Sequence, residues 1–407
     1  MSKYKLVTKC RCCGGVDLVP YINLTDQPPA NSYHAAGEDV EKFPLCAMLC
    51  KTCYHSMLSV VVDPDLLFRN YAYVSGTSNT LLEYFDWFET QPDLVFANTH
   101  GKKVLDIACN DGSQLDVFKK RGWSTYGVDP ALNLVKLAAA KGHTVIPEYW
   151  NIETAASLDT TFDAIIAQNV FAHTDNILEF LIACKMVMDN NTVLYIQTSQ
   201  SDMILRNEFD TMYHEHVSFF NTNSMNVICK RAGLKLRNVS KNPIHGTSYI
   251  FVISLGNVGM SPHNVEYTIE KERLSGLYNL DTYDNFRRNA TRVVNSLNYA
   301  IDKVTKEGYI SIGVGAAAKG MTVINFANLE LNCILDENPL KIGMLTPGMN
   351  IPIYDFDHLS TIPNDTKIAF LLTAWNFEKE LREKIKKYRN NPDDVFIKYF
   401  PTVTTTS

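Results

Sequence analysis

The chain has no run of about 18 apolar residues, so it offers no helix for crossing a membrane. It has no basic surplus either: 38 Lys and Arg face 44 Asp and Glu, a formal net charge of -6. A polyanion binder draws its affinity from cations that release condensed counterions, so nucleic acid is not expected as the main partner. A local basic pocket for one diphosphate is compatible with that balance. Met1–Tyr21 lacks an apolar core followed by a small-residue cleavage site, which argues against a secretory signal. The cytoplasm is the expected compartment, and thiols stay reduced there. Short repeats and low-complexity tracts are absent. Hydrophobic residues at 46% and charged residues at 20% exclude a disordered or collagen-like chain. The 407 residues are expected to form roughly two to four domains. No feature specifies an oligomeric state.

What is crowded is cysteine at one end. Six of the ten precede residue 54: Cys10, Cys12, Cys13, Cys46, Cys50 and Cys53. In a reducing compartment such crowding points to metal ligation rather than disulfides. Two C-x-x-C pairs are separable, Cys10–Cys13 in CRCCGG and Cys50–Cys53 in CKTC. Two intervening residues let a tight knuckle turn both thiolates toward one ion. Gly14 and Gly15 supply the backbone freedom of the first turn. Four thiolates form the tetrahedral set that suits zinc, and a closed set leaves no position for water, so the expected ion is structural. Binding worth about 10–16 kcal/mol can hold a lobe too small to fold by its own core. Cys12, Cys46 and His55 leave the ligand count open, and small packed thiols without metal are the alternative.

Residues 1–65 are read as this lobe. Leu81–Phe96 places Leu82, Phe85 and Phe88 at helical spacing. From Lys102 the pattern changes. KVLDIACNDG is a strand and turn, Gln114–Arg121 a helix, WSTYGVDP a second strand and Leu132–Lys141 the next helix. HTVIPEY, FDAIIAQNV and NTVLYIQTS follow as strands, with the helix Asn176–Met188 between the last two. Strands alternating with helices imply an α/β fold with a doubly wound parallel sheet. A helix and an antiparallel pair in NPIHGTSYIFVIS complete residues 66–260. Residues 261–307 read as a helical linker. YISIGVGAAAKG opens a second strand–turn–helix unit, and CILDENP, KIAFLLTA and DVFIKYF supply further strands, so residues 308–407 are expected to form a second, smaller α/β domain.

In open α/β sheets a ligand sits beyond the carboxyl ends of the strands. Asp106, Ala108, Asn110, Asp111 and Gly112 mark the end of the first strand and its loop. Asp129 closes the second strand about 20 residues on, where an acid can accept from ribose hydroxyls. This serves either a dinucleotide or S-adenosylmethionine (SAM). A dinucleotide loop needs G-x-G-x-x-G so that pyrophosphate can approach the backbone. This loop has one glycine and two acids, Asp106 and Asp111, which repel pyrophosphate and suit a cationic sulfonium or amino group. SAM is the expected ligand, with a plain structural turn as the alternative. Gln168 and Asn169 end the fourth strand, where an adenine or methionine end would lie. His173 follows as cap, packing residue or ligand.

Taken together, CRCCGG with LCKTC, VLDIACNDGSQL, FDTMYHEHVSFFN, IHGTSYIFV, GVGAAAKGMTVINF and ILDENPLKIGMLTPGMNIPI make the chain resemble a family from about Cys10 to Ile353. It is that of the SAM-dependent C-methyltransferases acting on nucleotide-linked keto-deoxysugars. The resemblance implies a zinc-binding lobe, a class I methyltransferase domain with a Rossmann-like sheet, and a C-terminal Rossmann-like domain. It also implies a mechanism. A ketone at the fourth sugar carbon acidifies the C–H at the third, a base removes that proton, and the enolate takes the SAM methyl group. His216 matches the family's base, and Glu215 the residue that helps hold the sugar. The chemistry agrees: a carbon nucleophile needs prior deprotonation, and histidine is the side chain most used for it near neutral pH. The enolate oxygen needs donors, for which Tyr213, Tyr71 and Tyr73 are candidates. His214 and His216 share a face if the segment is extended, and His214 reads as structural. His245, before Gly246, lines the site or shapes a turn.

In GVGAAAKG, Gly313 and Gly315 allow close backbone approach and Lys319 brings a positive charge, which fits a phosphate-binding turn. Asp336 closes the next strand, and Lys341, Thr346 and Gly348 follow. By analogy this domain binds the nucleotide diphosphate of the substrate. Ala108 stands where the family commonly has glycine, and Thr247 where a second glycine is frequent after HG. An O- or N-methyltransferase and a catalytically silent SAM- or nucleotide-binding protein are the competing readings.

Overall fold

A computed structural model describes residues 3–69, 74–91, 94, 99–198, 202–256 and 262–407. The chain divides into two compact units. Residues 1–19, 48–201 and 217–278 form the first, and residues 20–47, 202–216 and 279–407 the second.

The first unit holds a seven-stranded sheet in the spatial order Thr144–Ile146, Ser124–Val128, Lys103–Ile107, Phe162–Gln168, Met188–Thr198, Ser248–Ser254, Lys235–Asn242. In chain order this runs 3-2-1-4-5-7-6. The first five strands are mutually parallel. Ser248–Ser254 runs antiparallel to both of its neighbours, as expected for a pair closing one edge. Side chains alternate into two cores. Leu105 and Ile107, Ile165 and Ala167, and Leu194 and Ile196 enter one. Val104, Ala164, Ile166, Val193 and Tyr195 enter the other. Strands buried on both faces are written as continuous apolar runs, which is why these segments stand out in the sequence. Cys10, Cys12, Cys50 and Cys53 belong to the first of these cores, together with Phe171, Phe220 and Cys229.

Two helices end earlier than their periodicity suggests. Asn79–Phe88 starts at the Ser78 cap, whose side chain accepts from Leu81 N–H, and stops well short of Phe96. A proline at position 92 disfavours helical backbone just before it. The helical linker expected over residues 261–307 is two helices, Pro262–Leu274 and Leu280–Lys306. Gly276 breaks it with a φ of 84°, the left-handed conformation typical of helix ends.

The second unit holds a six-stranded sheet in the order Ile353–Tyr354, Cys333–Leu335, Ile310–Val314, Ile368–Leu372, Val395–Lys398, Thr404–Thr406. All pairings are parallel except that of the last strand. Its core is formed by Ile312, Val314, Leu335, Phe370 and Leu372. Among the described residues no helix is long and apolar enough to cross a membrane.

Candidate active site and metal centre

The two cysteine knuckles are the same turn. Gly14 N–H donates to Cys10 O and Tyr54 N–H to Cys50 O, both at 2.8 Å. The residue after the second cysteine is left-handed in each, Gly14 at φ 78° and Tyr54 at φ 57°. Cys10 Sγ lies 3.5 Å from Cys53 Sγ, and Cys13 Sγ 3.5 Å from Cys50 Sγ. All four sulfurs fall within 4.8 Å of one another. Thiolates around a tetrahedral zinc at about 2.3 Å stand about 3.8 Å apart, so the set fits the ion with small adjustments. Cys12 is fully buried outside the set. Cys46 lies outside it, and His55 turns instead to Ser218 Oγ at 3.2 Å and to the Phe220 ring. Sequence reasoning missed Arg11, the buried residue between two ligands. Its Nε donates to Asp175 Oδ1 and its Nη1 to Val217 O, both at 2.9 Å. Cys10, Cys13, Cys50 and Cys53 would hold a structural zinc, and Arg11 stands between two of these ligands.

The loop after Lys103–Ile107 is held by Asp129. Asn110 N–H donates to Asp129 Oδ2 at 2.9 Å, and Ala131 N–H to Oδ1 at 2.8 Å. Each carboxyl oxygen keeps a lone pair for a ligand hydroxyl. Ala108 and Asn110 are left-handed, at φ 63° and 52°. Asparagine tolerates that region, whereas alanine costs roughly 1–2 kcal/mol there. Gly112 is required, because a Cβ at this φ of 78° would stand 2.8 Å from His143 Cδ2. The two acids do not act as two free charges. Asp106 is buried, and burial pushes its pKa well up, with Asp129 adding to the effect. Asp111 accepts from Ser113 Oγ at 2.8 Å and pairs with Lys141 at 3.3 Å, a cation that sequence reasoning did not connect to it.

Among the described residues, Gln168 Nε2 and Asn169 Oδ1, at the end of the fourth strand, are buried with no hydrogen-bond partner. A bound ligand could fill that need. Asn169 Nδ2 reaches Gln197 Oε1 at 3.4 Å, and Gln197 Nε2 donates to Ser248 Oγ at 2.8 Å. Ser248 in turn donates to Ile244 O at 3.0 Å, so this chain runs to the turn holding His245, which is left-handed at φ 57°. His173 is half-buried, stacks on Phe68 at 5.6 Å, and is pushed down by desolvation to a pKa of about 4. Ser75 N–H donates to Asn110 Oδ1 at 3.0 Å, so the Ser75–Thr77 turn rests on the loop. Tyr71 and Tyr73, just before it, lie outside the described residues.

In the second unit the YHEH segment is a turn, not an extended strand: His216 N–H donates to Tyr213 O at 2.8 Å. The two histidines therefore part. His214 Nε2 donates to Phe43 O at 3.3 Å, and its ring meets Phe43 edge-on. His216 Nδ1 lies 2.7 Å from Thr211 O, and its Nε2 lies 2.8 Å from Tyr213 OH. A carbonyl can only accept, so Nδ1 carries the proton and Nε2 accepts from the tyrosine. Glu215 is buried. Its Oε1 accepts from Asn31 Nδ2 at 2.9 Å, while its Oε2 has no hydrogen-bond partner among the described residues. Burial pushes its pKa up. Asp210, also buried, accepts from Trp375 Nε1 at 2.7 Å. Asn31 and Trp375 were not legible as site residues.

Asp336 repeats the device of Asp129. Ala316 N–H donates to Asp336 Oδ2 at 2.7 Å, and Asn338 N–H to Oδ1 at 2.8 Å. Gly315 is needed for packing, since a Cβ at its φ of 94° would stand 2.8 Å from Ala374 Cβ. Lys341 Nζ donates to Ala316 O at 2.8 Å and lies over the Tyr33 ring. Lys319 Nζ stands 5.4 Å from the Trp375 ring, and its charge acts on Glu208 and Asp210. The second unit thus brings Gly315, Asp336 and Lys341 around one loop, and Lys319 beside the turn that precedes His216.

Three family models match: a zinc binding domain over residues 10–68, a methyltransferase domain over 83–239, and a C-methyltransferase C-terminal domain over 243–401. The chain is 26% identical over 401 residues to the C-methyltransferase NovU of Streptomyces niveus, covering 95% of this chain and 94% of that protein. It is 29% identical over 103 residues to a ubiquinone biosynthesis O-methyltransferase of Rhodopseudomonas palustris, a match to 40% of that protein's length and 24% of this chain. Among solved structures, a SAM-dependent methyltransferase from Archaeoglobus fulgidus matches at 16% identity with a TM-score of 0.35, covering 42% of this chain and 94% of the other. The fold assignment rests on strand order: the first unit is the Rossmann-like sheet of a class I methyltransferase. SAM is the methyl donor and zinc the structural metal. The three matched domains and the end-to-end relative make the chain a SAM-dependent methyltransferase similar to C-methyltransferases that carry a zinc-binding, a methyltransferase and a C-methyltransferase C-terminal domain.

Proposed function

We propose that this enzyme methylates a nucleotide-diphosphate-linked 4-keto-6-deoxysugar on the carbon next to the ketone, C3. The observation that carries the reading is the tautomer lock on His216. Thr211 O holds the imidazole proton on Nδ1, so Nε2 keeps the lone pair that a base needs, which the Tyr213 hydroxyl occupies until it turns to the substrate. SAM, when bound, supplies an electrophilic methyl group. Nε2 would take the C3 proton, leaving the electron pair in the enolate, and the enolate carbon would bond to the methyl carbon as its bond to sulfur breaks, with S-adenosylhomocysteine as the leaving group. Protonated Nε2 can only donate, so the Tyr213 hydroxyl no longer gives its hydrogen to the ring and can give it to the enolate oxygen. A positioned base contributes about 10²–10⁴-fold, and one oxyanion donor about 10²–10³-fold.

In this reading Glu215 Oε2 holds a sugar hydroxyl. Asp129 meets the ribose of SAM, and Asp106, Ala108, Asn110, Asp111 and Gly112 shape its loop. Gln168 and Asn169 take its adenine or methionine end. His245, Gly315, Lys319, Asp336 and Lys341 serve the nucleotide sugar, with Tyr71 and Tyr73 as further donors. Residues 1–65 act as the zinc lobe, 66–260 bind SAM, 261–307 link, and 308–407 take the nucleotide. The cytoplasm, which keeps thiols reduced, is the compartment that suits the zinc ligands.

Incubation with SAM and such a sugar should give a product one methyl heavier with a new carbon–carbon bond. His216→Asn keeps a donor for Thr211 O but has no ring lone pair, so turnover should fall by about 10²–10⁴-fold. A methyl found only on oxygen or nitrogen, or C-transfer undiminished in the variant, contradicts the reading.

A further inference from the structure

We propose that Asn31 is a positioning residue of this site: it holds one carboxyl oxygen of Glu215 so that the other is presented to the substrate. The inference rests on the function proposed above for Glu215. The observations are the burial of that carboxyl and the asymmetry of its partners. Glu215 is 1% exposed. Oε1 accepts from Asn31 Nδ2 at 2.9 Å, and Oε2 is buried with no hydrogen-bond partner among the described residues. A buried polar atom left unpaired is costly unless something fills its place, and a bound hydroxyl would do so. A carboxyl with no fixed oxygen can rotate about its terminal bond. Pinning one oxygen sets the direction of the other.

The segment that carries Asn31 is itself pinned on both sides. Before it stand Pro28 and Pro29, whose φ angles are locked. After it, Tyr33 OH donates to Ala316 O at 2.5 Å, and its ring lies 5.1 Å from Lys341 Nζ. His34 N–H donates to Leu345 O at 3.3 Å, and Leu345 N–H to His34 O at 2.8 Å. The same short stretch therefore touches the acid beside His216 and the glycine-bearing loop that ends Ile310–Val314.

The choice of an amide has a chemical consequence. A lysine at this position would hold Glu215 ionised. Asparagine donates without adding charge, so burial still raises the carboxyl, and the Glu215 backbone and then Asn31 lower it only in part. The flanking histidines are engaged elsewhere, His214 on Phe43 O and His216 on Thr211 O. Such a carboxyl suits a neutral, hydroxyl-bearing substrate better than a cationic one.

The test compares Asn31→Ala and Asn31→Gln with the wild-type enzyme, zinc-loaded and full-length. Glu215 is followed by NMR with carboxyl-¹³C glutamate, its resonance identified by its loss in Glu215→Gln. Asn31→Ala should raise the Glu215 midpoint, lower kcat/KM for the keto-sugar by about 10–100-fold, and leave the Kd for SAM unchanged. Asn31→Gln should restore part of both. An unmoved Glu215 midpoint with unaltered kcat/KM overturns the proposal. So does an equal loss of SAM binding and sugar turnover, which would indicate general disorder. If the wild type does not C-methylate the sugar, the proposed function fails separately, while the Glu215 titration still reports whether Asn31 acts on it.

Discussion

His214 and His216 are two residues apart, yet they should respond in opposite ways to substitution. His214 is 1% exposed, and burial drives its pKa down to about 4, with the carbonyls of Phe43 and Pro44 opposing in part. An unfolded histidine titrates near 6.5. The folded state therefore binds fewer protons than the unfolded one between these values. Stability from this group is complete above the unfolded value, is lost as pH falls, and stops falling below about 4. At about 1.4 kcal/mol per pH unit, the full loss is about 3 kcal/mol. Between pH 7.5 and 5.0 it is about 2 kcal/mol. His214→Gln keeps a donor near Phe43 O and removes the titration. Urea unfolding of zinc-loaded enzyme at both pH values measures the difference of differences, in which acid loss of zinc cancels. The variant should lose about 2 kcal/mol less than the wild type over this interval, and should keep most of its activity at pH 7.5. An identical pH dependence of stability in the two proteins would refute the reasoning.

Four further outcomes follow from particular contacts. Elemental analysis should find one zinc per chain. Ser at Cys10, Cys13, Cys50 or Cys53 should lower that stoichiometry, and Ser at Cys12 or Cys46 should not. Ala108→Gly relieves a left-handed alanine, so thermal unfolding should show equal or higher stability, by up to about 1 kcal/mol, with calorimetric SAM affinity retained. Asp129→Ala removes the partner of Asn110 and Ala131 N–H, and calorimetry should show SAM affinity reduced by at least about tenfold. Trp375→Phe takes a donor from buried Asp210, and denaturant titration should show a loss of about 1–3 kcal/mol.

The fold was legible where its cause is local. C-x-x-C spacing dictates a knuckle, and continuous apolar runs such as FDAIIA dictate strands covered on both faces. The acid closing the second strand could be read in both units, because Asp129 and Asp336 serve the loop of the strand beside them. Charge balance was less legible. Asp111 looks like a free acid in NDGS, but Lys141 answers it from the far end of the next helix. The partners that finish the histidine turn could not be read at all. Asn31 lies 184 residues from Glu215, and Trp375 lies 165 from Asp210. No periodicity connects such pairs, since they meet only through the packing of the second unit. The turn itself stayed open in the sequence for a related reason. Whether HEH is extended or bent depends on where the imidazoles find acceptors, and those are the carbonyls of Phe43 and Thr211.

Proton removal by His216 can be watched without methyl transfer. The enzyme is incubated in deuterium oxide with the keto-sugar and S-adenosylhomocysteine, and exchange at C3 is followed by mass spectrometry and NMR. Wild-type enzyme should introduce one deuterium at C3 well above the enzyme-free rate, and His216→Asn should not. Exchange at the wild-type rate in His216→Asn, or methylated product with no loss of the C3 hydrogen, would contradict the account.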